Sequence, residues 1–127
     1  MNKSILSVNG NNAIHYLLQT IFQNEYALIA VSDAFEATYQ LKSKKGIGIL
    51  IVDVDYDTDQ NWEMIQHIKT SKLFQLPIVV LTTNNDDTVK NKCYEFGIDD
   101  VFFKPFNPVD LVAAVKSLDT AIALTNA

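Results

Sequence analysis

The sequence contains no arginine, and its ten basic residues are all lysines scattered along the chain. Acidic residues outnumber them, which gives a formal net charge of -5 at pH 7. Proteins that bind nucleic acids directly need positive charge clustered on one surface. We therefore expect no direct contact with nucleic acid.

Cysteine and long apolar runs are equally scarce. Cys93 is the only cysteine, so the chain has no internal disulfide, which favours a reducing cytoplasm. No segment reaches the roughly 18 consecutive apolar residues that a membrane-spanning helix needs, and the first residues do not begin a secretory signal. These absences predict a cytoplasmic protein without a membrane partner.

The composition of the 127 residues is typical of one globular domain. Hydrophobic residues make up 48% and charged residues 20%, which is ordinary for a folded domain. No repeat, low-complexity stretch or linker divides the chain, and this length supports one hydrophobic core. We therefore predict a single domain over residues 1–127.

Five short apolar segments alternate with segments of helical periodicity. The predicted strands are residues 4–8, 26–31, 47–52, 78–81 and 101–103. The third is almost continuously apolar, which is typical of a strand covered on both faces in a parallel sheet. Repeated strand–helix units with right-handed crossovers predict a doubly wound α/β fold.

Polar residues with capping preferences precede the predicted helices, and apolar residues recur along one face of each. The candidate caps are Ser32 or Asp33, Asp86 or Asp87, and Asn107. The helix positions predicted to face the core are Ile14, Leu17, Leu18, Ile21, Phe22, Phe35, Ala37, Leu41, Trp62, Ile65, Ile68, Val89, Cys93, Phe96, Leu111, Val115 and Leu118. Trp62 is therefore interpreted as core packing rather than as a ligand platform.

The unusual polar residues follow the predicted strands. They are Asn9 and Gly10, residues 53–59, residues 82–85, and Lys104 before Pro105. In doubly wound folds, ligands bind beyond the carboxyl ends of the strands, where the strand order reverses. A functional site is expected there.

Three of these residues give the chain a resemblance to a response-regulator receiver domain, of the kind that chemotaxis regulators have. Asp53 matches the family's phosphoacceptor aspartate, Thr82 the hydroxyl residue ending the fourth strand, and Lys104 the lysine that precedes a proline, here Pro105. The resemblance implies a (βα)5 flavodoxin-like three-layer sandwich, a five-stranded parallel sheet in the order 2-1-3-4-5, and a cis peptide at Pro105. It also implies two-component phosphorelay signalling, with a histidine kinase or phosphotransfer protein and a downstream protein as partners, and no enzymatic activity.

Phosphoryl transfer suits these three residue types. The reaction needs positioning and neutralisation of charge more than covalent assistance. The Asp53 carboxylate attacks, the Thr82 hydroxyl donates to a phosphoryl oxygen, and the Lys104 ammonium offsets its charge.

The expected metal site departs from the family pattern. Receiver domains usually end the first strand with two acidic residues that hold Mg²⁺, whereas this chain has Asn9 and Gly10. Magnesium requires oxygen ligands and usually carboxylates. The remaining ligands are Asp53, Asp55 and the Asn9 amide oxygen, which predicts weak or absent Mg²⁺ binding.

Two further departures concern the surroundings of the site. Many receivers have an aromatic residue where this chain has Val101, and valine is too short and stiff to make the rotation that accompanies phosphorylation. The loop after Asp53 lacks the usual proline and glycine, and Tyr56 is a candidate for an exposed aromatic that partly covers Asp53.

Two alternatives to phosphorylation stay open on the sequence. Asn9 and Gly10 favour a pseudo-receiver that binds partner proteins without being phosphorylated. Asp53 and Asp55 after an apolar strand also resemble haloacid-dehalogenase-like phosphatases, although two strand–helix units precede the motif here. Apolar residues on the last helix favour a homodimer as one option for assembly.

Overall fold

The computed structural model describes residues 3–44, 46–71 and 74–126. Strands and helices alternate in the order β1 Ser4–Val8, α1 Asn12–Phe22, β2 Ala27–Val31, α2 Ala34–Ser43, β3 Ile47–Asp53, α3 Thr58–Thr70, β4 Ile78–Thr82, α4 Asp87–Glu95, β5 Asp100–Phe103 and α5 Pro108–Asn126. Each strand lies within one residue of its predicted bounds. β3 and β4 each extend by one residue, which brings Asp53 and Thr82 into the sheet.

The five strands form one parallel sheet in the order β2-β1-β3-β4-β5, as the resemblance implied. Val8 of β1 is level with Val52 of β3, and Val52 is level with Val80 of β4. Val80 is in turn level with Val101 of β5. The carboxyl ends of these four strands therefore lie side by side at one edge of the sheet, and so do the loops that follow them.

Buried side chains cover both faces of the sheet. On one face, α1 and α5 contribute Leu18, Phe22, Leu111 and Val115 to a cluster with alternate residues of the central strands. On the other face lies the larger cluster, to which α2, α3 and α4 contribute Ala37, Trp62, Met64, Ile65, Ile68 and Cys93. The three-layer arrangement is confirmed.

Phe35 is the exception among the predicted core positions. Its side chain is 84% exposed, while Ala37 two residues later is fully buried. Ala34, Ala37 and Leu41 form the side of α2 that packs on the core, and Phe35 projects away from it, so the assignment of Phe35 to the core was wrong.

Asparagine and aspartate side chains cap the N-termini of four helices. The Asn11 side chain accepts from Ala13 N–H, Asp33 from Glu36 N–H, Asp86 from Val89 N–H and Asn107 from Val109 N–H. These bonds satisfy amides that a helix leaves unpaired at its start. α3 instead begins without a side-chain cap, after Asp57 in the left-handed conformation (φ 46°).

The strand order reverses between β1 and β3. Their carboxyl ends carry Asn9 and Asp53, so these residues flank the crevice in which doubly wound proteins bind ligands. No helix in the described part of the chain has the length and apolarity to span a membrane.

Candidate functional site

Asp53 is a buried carboxylate at the end of the central strand β3. Its residue is 1% exposed, and its Oδ2 atom lies 2.5 Å from Lys104 Nζ. Its Oδ1 atom accepts a hydrogen bond of 2.9 Å from the backbone N–H of Asp55. Both carboxylate oxygens therefore have a donor.

Thr82 and Lys104 lie at the ends of the next two strands. The N–H of Lys104 donates to the carbonyl of Thr82 at 2.9 Å, which continues the β4–β5 pairing by one residue. The peptide bond between Lys104 and Pro105 is cis, as the resemblance implied. The predicted triad of Asp53, Thr82 and Lys104 is thus brought to one edge of the sheet.

Asp55 enters the middle of this triad. Thr82 Oγ1 donates to Asp55 Oδ1 at 2.7 Å rather than to Asp53, and Lys104 Nζ lies 3.0 Å from Asp55 Oδ2. The backbone N–H of Thr83 also donates to the Asp55 carboxylate, at 2.9 and 3.1 Å to its two oxygens. Two carboxylates and one ammonium give the cluster a formal charge of -1.

These contacts keep Asp55 and Lys104 charged. Burial raises the pKa of Asp55, but the hydrogen bonds from Thr82, Lys104 and the Thr83 N–H, together with the Lys104 charge, bring that pKa below its usual value. Burial likewise lowers the pKa of Lys104, but its hydrogen bonds and attraction to Asp53 and Asp55 bring it above the usual value. Both groups therefore remain ionised at neutral pH.

Asn61 fixes the loop that carries Asp55, and sequence reasoning did not single it out. Asn61 lies in the first turn of α3, which begins at Thr58, and its side chain is turned toward the loop after Asp53. Asn61 is 2% exposed, and its Nδ2 donates to the carbonyls of Asp53 (3.2 Å) and Tyr56 (2.8 Å). The sequence signal that could have indicated this role is an amide residue on the apolar side of α3, one position before Trp62.

Replacing Asn61 with alanine is expected to lower the free energy of unfolding by about 2 kcal/mol, because two loop carbonyls lose their donor. Urea unfolding followed by Trp62 fluorescence measures the change. Gln60→Ala, at an exposed position one residue earlier, is the control and should stay within about 0.5 kcal/mol of the parent protein. Equal losses in the two variants would contradict the assigned contacts.

Asn9, Gly10 and Tyr56 lie on the β1 side of the site. Asn9 is 2% exposed, and its Oδ1 accepts from the N–H of Asn11 at 2.6 Å. Among the described residues no hydrogen-bond partner reaches the buried Asn9 Nδ2. Tyr56 is 44% exposed, and a Cβ added to Gly10 would lie 3.4 Å from its Cβ and Cγ atoms. The Tyr56 ring therefore lies over Gly10, with Lys104 Nζ 6.0 Å from its centre.

The side chains present fit a magnesium ion poorly. Magnesium is usually held by carboxylates, but both carboxylates here, Asp53 and Asp55, already contact the Lys104 ammonium, whose positive charge opposes a second cation. The Asn9 oxygen accepts from Asn11. Within residues 3–44, 46–71 and 74–126, no group of three or more His, Cys, Asp or Glu side chains forms a candidate metal site.

Val101 lies in the middle of β5, level with Val80. Its side chain is partly buried against the cluster formed with α2, α3 and α4. At this position a valine contributes to the core, with no aromatic ring available to swing between exposed and buried positions.

The sheet is doubly wound, and a buried aspartate, a threonine and a lysine lie at the edge where its strand order reverses. This combination is typical of signalling domains that are phosphorylated on aspartate. Residues 5–116 match the family model of the response regulator receiver domain. The chain belongs to this family. Receiver domains are signalling modules that interact with histidine kinases and downstream effectors, and they typically bind Mg²⁺ at an acidic site.

Named relatives agree with this assignment. The chain is 30% identical over 118 residues to the regulatory protein VanRc of Enterococcus gallinarum, covering 92% of this chain and 50% of that protein. It is 32% identical over 119 residues to the alkaline phosphatase synthesis transcriptional regulatory protein PhoP of Bacillus subtilis, covering 93% and 49%. The chain thus spans about half the length of these relatives.

A solved structure supports the fold. The signal receiver domain of an HD domain-containing protein from Pseudomonas fluorescens superimposes with a TM-score of 0.85 at 20% identity, covering 95% of this chain and 97% of that one. The two alternative interpretations gain no support from these relatives, all of which are regulators or receivers.

Proposed function

We propose that Asp53 accepts a phosphoryl group from the phosphohistidine of a kinase or phosphotransfer protein. The carrying observation is the buried Asp53 carboxylate held by Lys104 Nζ at 2.5 Å, beside the Thr82 hydroxyl on the neighbouring strand. An Asp53 oxygen attacks phosphorus, the phosphorus–nitrogen bond breaks, and its electron pair stays on the imidazole nitrogen. Lys104 and Thr82 then offset and hydrogen-bond the charge on the phosphoryl oxygens.

Incubation with a small phosphodonor such as acetyl phosphate, followed by mass measurement, tests this proposal. The protein is expected to gain the mass of one phosphoryl group, and Asp53→Asn is expected to gain none. Asp59→Asn, an exposed acid in the same segment, is the matched control and should be modified like the parent. No gain, or a gain that survives Asp53→Ala, contradicts the proposal.

Binding of Mg²⁺ is proposed to be weak. Support comes from Asn9 and Gly10 in place of the usual acidic pair, and from the Lys104 ammonium that already pairs with Asp53 and Asp55. Running the same phosphorylation assay with and without Mg²⁺ is expected to give a small difference.

A protein-interaction module without phosphorylation is the second candidate. It is favoured by Asn9 and Gly10 in place of the usual acidic pair and by Val101 in place of an aromatic residue. Partner binding that is equal for the parent and Asp53→Asn, together with no mass gain, would favour this candidate over the first.

The proposed partners are a histidine kinase or phosphotransfer protein and a downstream protein that contacts the face formed by α4, β5 and α5. Direct binding to nucleic acid is not proposed, because the lysines are scattered and the net charge is -5.

We further propose one domain over residues 1–127, a cytoplasmic location, and a homodimer through α5, where Val109 is 71% exposed. Sedimentation tests the dimer.

The chain is proposed to act as a signalling module and not as an enzyme. Asp53 ends the third strand of the sheet, whereas the haloacid-dehalogenase-like motif begins on the first. Multiple turnover of a generic phosphate ester that is lost in Asp53→Asn would overturn this proposal.

A further inference from the structure

Three donors from two strand ends converge on the carboxylate of Asp55. They are the Thr82 hydroxyl at 2.7 Å, the Thr83 backbone N–H at 2.9 Å, and the Lys104 ammonium at 3.0 Å. Converging hydroxyl, amide and ammonium donors form a site for an oxyanion, and they suit a phosphoryl group or a sulfate ion as well as a carboxylate. The structure therefore contains an anion pocket whose occupant is a side chain of the same protein.

The backbone around Asp55 is tied down in a way that aims its side chain into this pocket. Its own N–H donates to Asp53 Oδ1, and Thr58 Oγ1 donates to the carbonyl of Val54 at 2.9 Å. Asn61 Nδ2 holds the carbonyls on both sides of this short segment, those of Asp53 and Tyr56. Asp55 thus reaches the pocket through a loop with four internal hydrogen bonds.

A second anion cannot share the pocket with Asp55. Lys104 Nζ already contacts both Asp53 and Asp55, and the cluster already has a formal charge of -1. A phosphoryl group carries roughly -1.5 to -2 charges at neutral pH. Like charges at hydrogen-bonding separation repel strongly in a site that is largely shielded from water.

We infer that Asp55 is an intramolecular competitor for the phosphoryl pocket, which occupies the donors of Thr82, Thr83 and Lys104 until an incoming phosphoryl group displaces it. In the unmodified protein, the Thr82 hydroxyl therefore donates to Asp55 the hydrogen bond that it would donate to a phosphoryl oxygen after phosphorylation. The inference rests on the proposed function for its biological meaning, but the pocket itself can be tested without phosphorylation.

The first test measures sulfate binding in the background Asp53→Asn, which cannot form an acyl phosphate and has no second carboxylate. Sulfate is titrated at constant ionic strength, and the backbone amide chemical shifts of Thr82 and Thr83 report occupancy. Asp53→Asn/Asp55→Ala is expected to bind sulfate at least about tenfold more tightly than Asp53→Asn, equivalent to about 1.4 kcal/mol. Asp53→Asn/Asp55→Asn, which keeps the side-chain shape, should show the same direction if the alanine variant is poorly folded.

The control is Asp53→Asn/Asp59→Ala, which removes one exposed acid from the first turn of α3. This variant is expected to bind sulfate no more tightly than Asp53→Asn. Equal sulfate affinity with and without Asp55, or an equal gain in the Asp59 control, overturns the inference.

The second test measures the rate of phosphorylation by acetyl phosphate with Asp53 intact. Asp55→Ala is expected to react about tenfold faster than the parent, and Asp59→Ala at the parental rate. If sulfate binding improves but no variant is ever phosphorylated, the proposed function fails and the competitor role stands. If all variants are phosphorylated at one rate and sulfate affinity is unchanged, the competitor role fails and the proposed function stands.

Discussion

Replacing Lys104 with methionine is expected to lower the free energy of unfolding by about 3 kcal/mol. Lys104 is the cation that contacts both Asp53 and Asp55, and the side chain of Asp53 has no exposure to solvent. Removing the ammonium leaves a buried carboxylate without its partner, which costs more than the loss of an exposed ion pair. Urea or thermal unfolding measures the difference.

Lys116→Met provides the matched control for lost lysine packing. Lys116 pairs with Glu25 at 2.9 Å, and both side chains are about half exposed. Its replacement should cost less than about 1 kcal/mol, as exposed ion pairs usually do.

Asp53→Asn is expected to restore most of the stability that Lys104→Met removes, because the double variant no longer buries an unpaired charge. A double variant as unstable as Lys104→Met alone would show that the ammonium acts through packing instead.

The same ion pairs give an alkaline limit to stability. Because the pKa of folded Lys104 is raised, its contribution is fully present below the pKa of an unfolded lysine, about 10.4. The contribution is lost as the pH rises through the higher pKa of the folded state. Lys104→Met should lack this alkaline loss.

Replacing Asn9 with aspartate is expected to tighten Mg²⁺ binding at least about tenfold, because it adds a carboxylate beside the end of β3. The aspartate keeps the acceptor for Asn11 N–H and puts an oxygen in place of the buried Asn9 Nδ2. The formal charge of the cluster changes from -1 to -2, which favours a divalent cation.

Thermal unfolding with and without Mg²⁺ measures this change. Without the metal, Asn9→Asp should be less stable than the parent by about 2 kcal/mol, since it buries another negative charge. With the metal its melting temperature should rise, because a ligand that binds only the folded state stabilises it. Asn91→Asp, an exposed position on α4, is the control for charge alone, and a Mg²⁺ response in Asn9→Asp no larger than in this control would contradict the prediction.

The strands and the three triad residues were predictable because they depend on local patterns. An apolar run that ends in Asp53 gives both the strand and the position of its terminal side chain. Parallel strands then bring Thr82 and Lys104 to the same edge, since their carboxyl ends all meet there.

The contacts of the Asp55 side chain with Thr82 and Lys104 could not be predicted in the same way. It depends on Asn61, eight residues after Asp53, and on donors from β4 and β5 that are distant along the chain. The prediction that Phe35 faces the core failed for a related reason, because apolar character alone did not show that the side chain projects away from the sheet.

The contact between Tyr56 and Gly10 couples substitutions at these two positions. A methyl group at position 10 would just touch the tyrosine, and a longer side chain must pass beside its ring. Substitutions at positions 10 and 56 should therefore be epistatic, so that Gly10→Asp is tolerated better when Tyr56 is alanine. Introducing an acidic pair at positions 9 and 10 should therefore cost least when position 56 is changed with them.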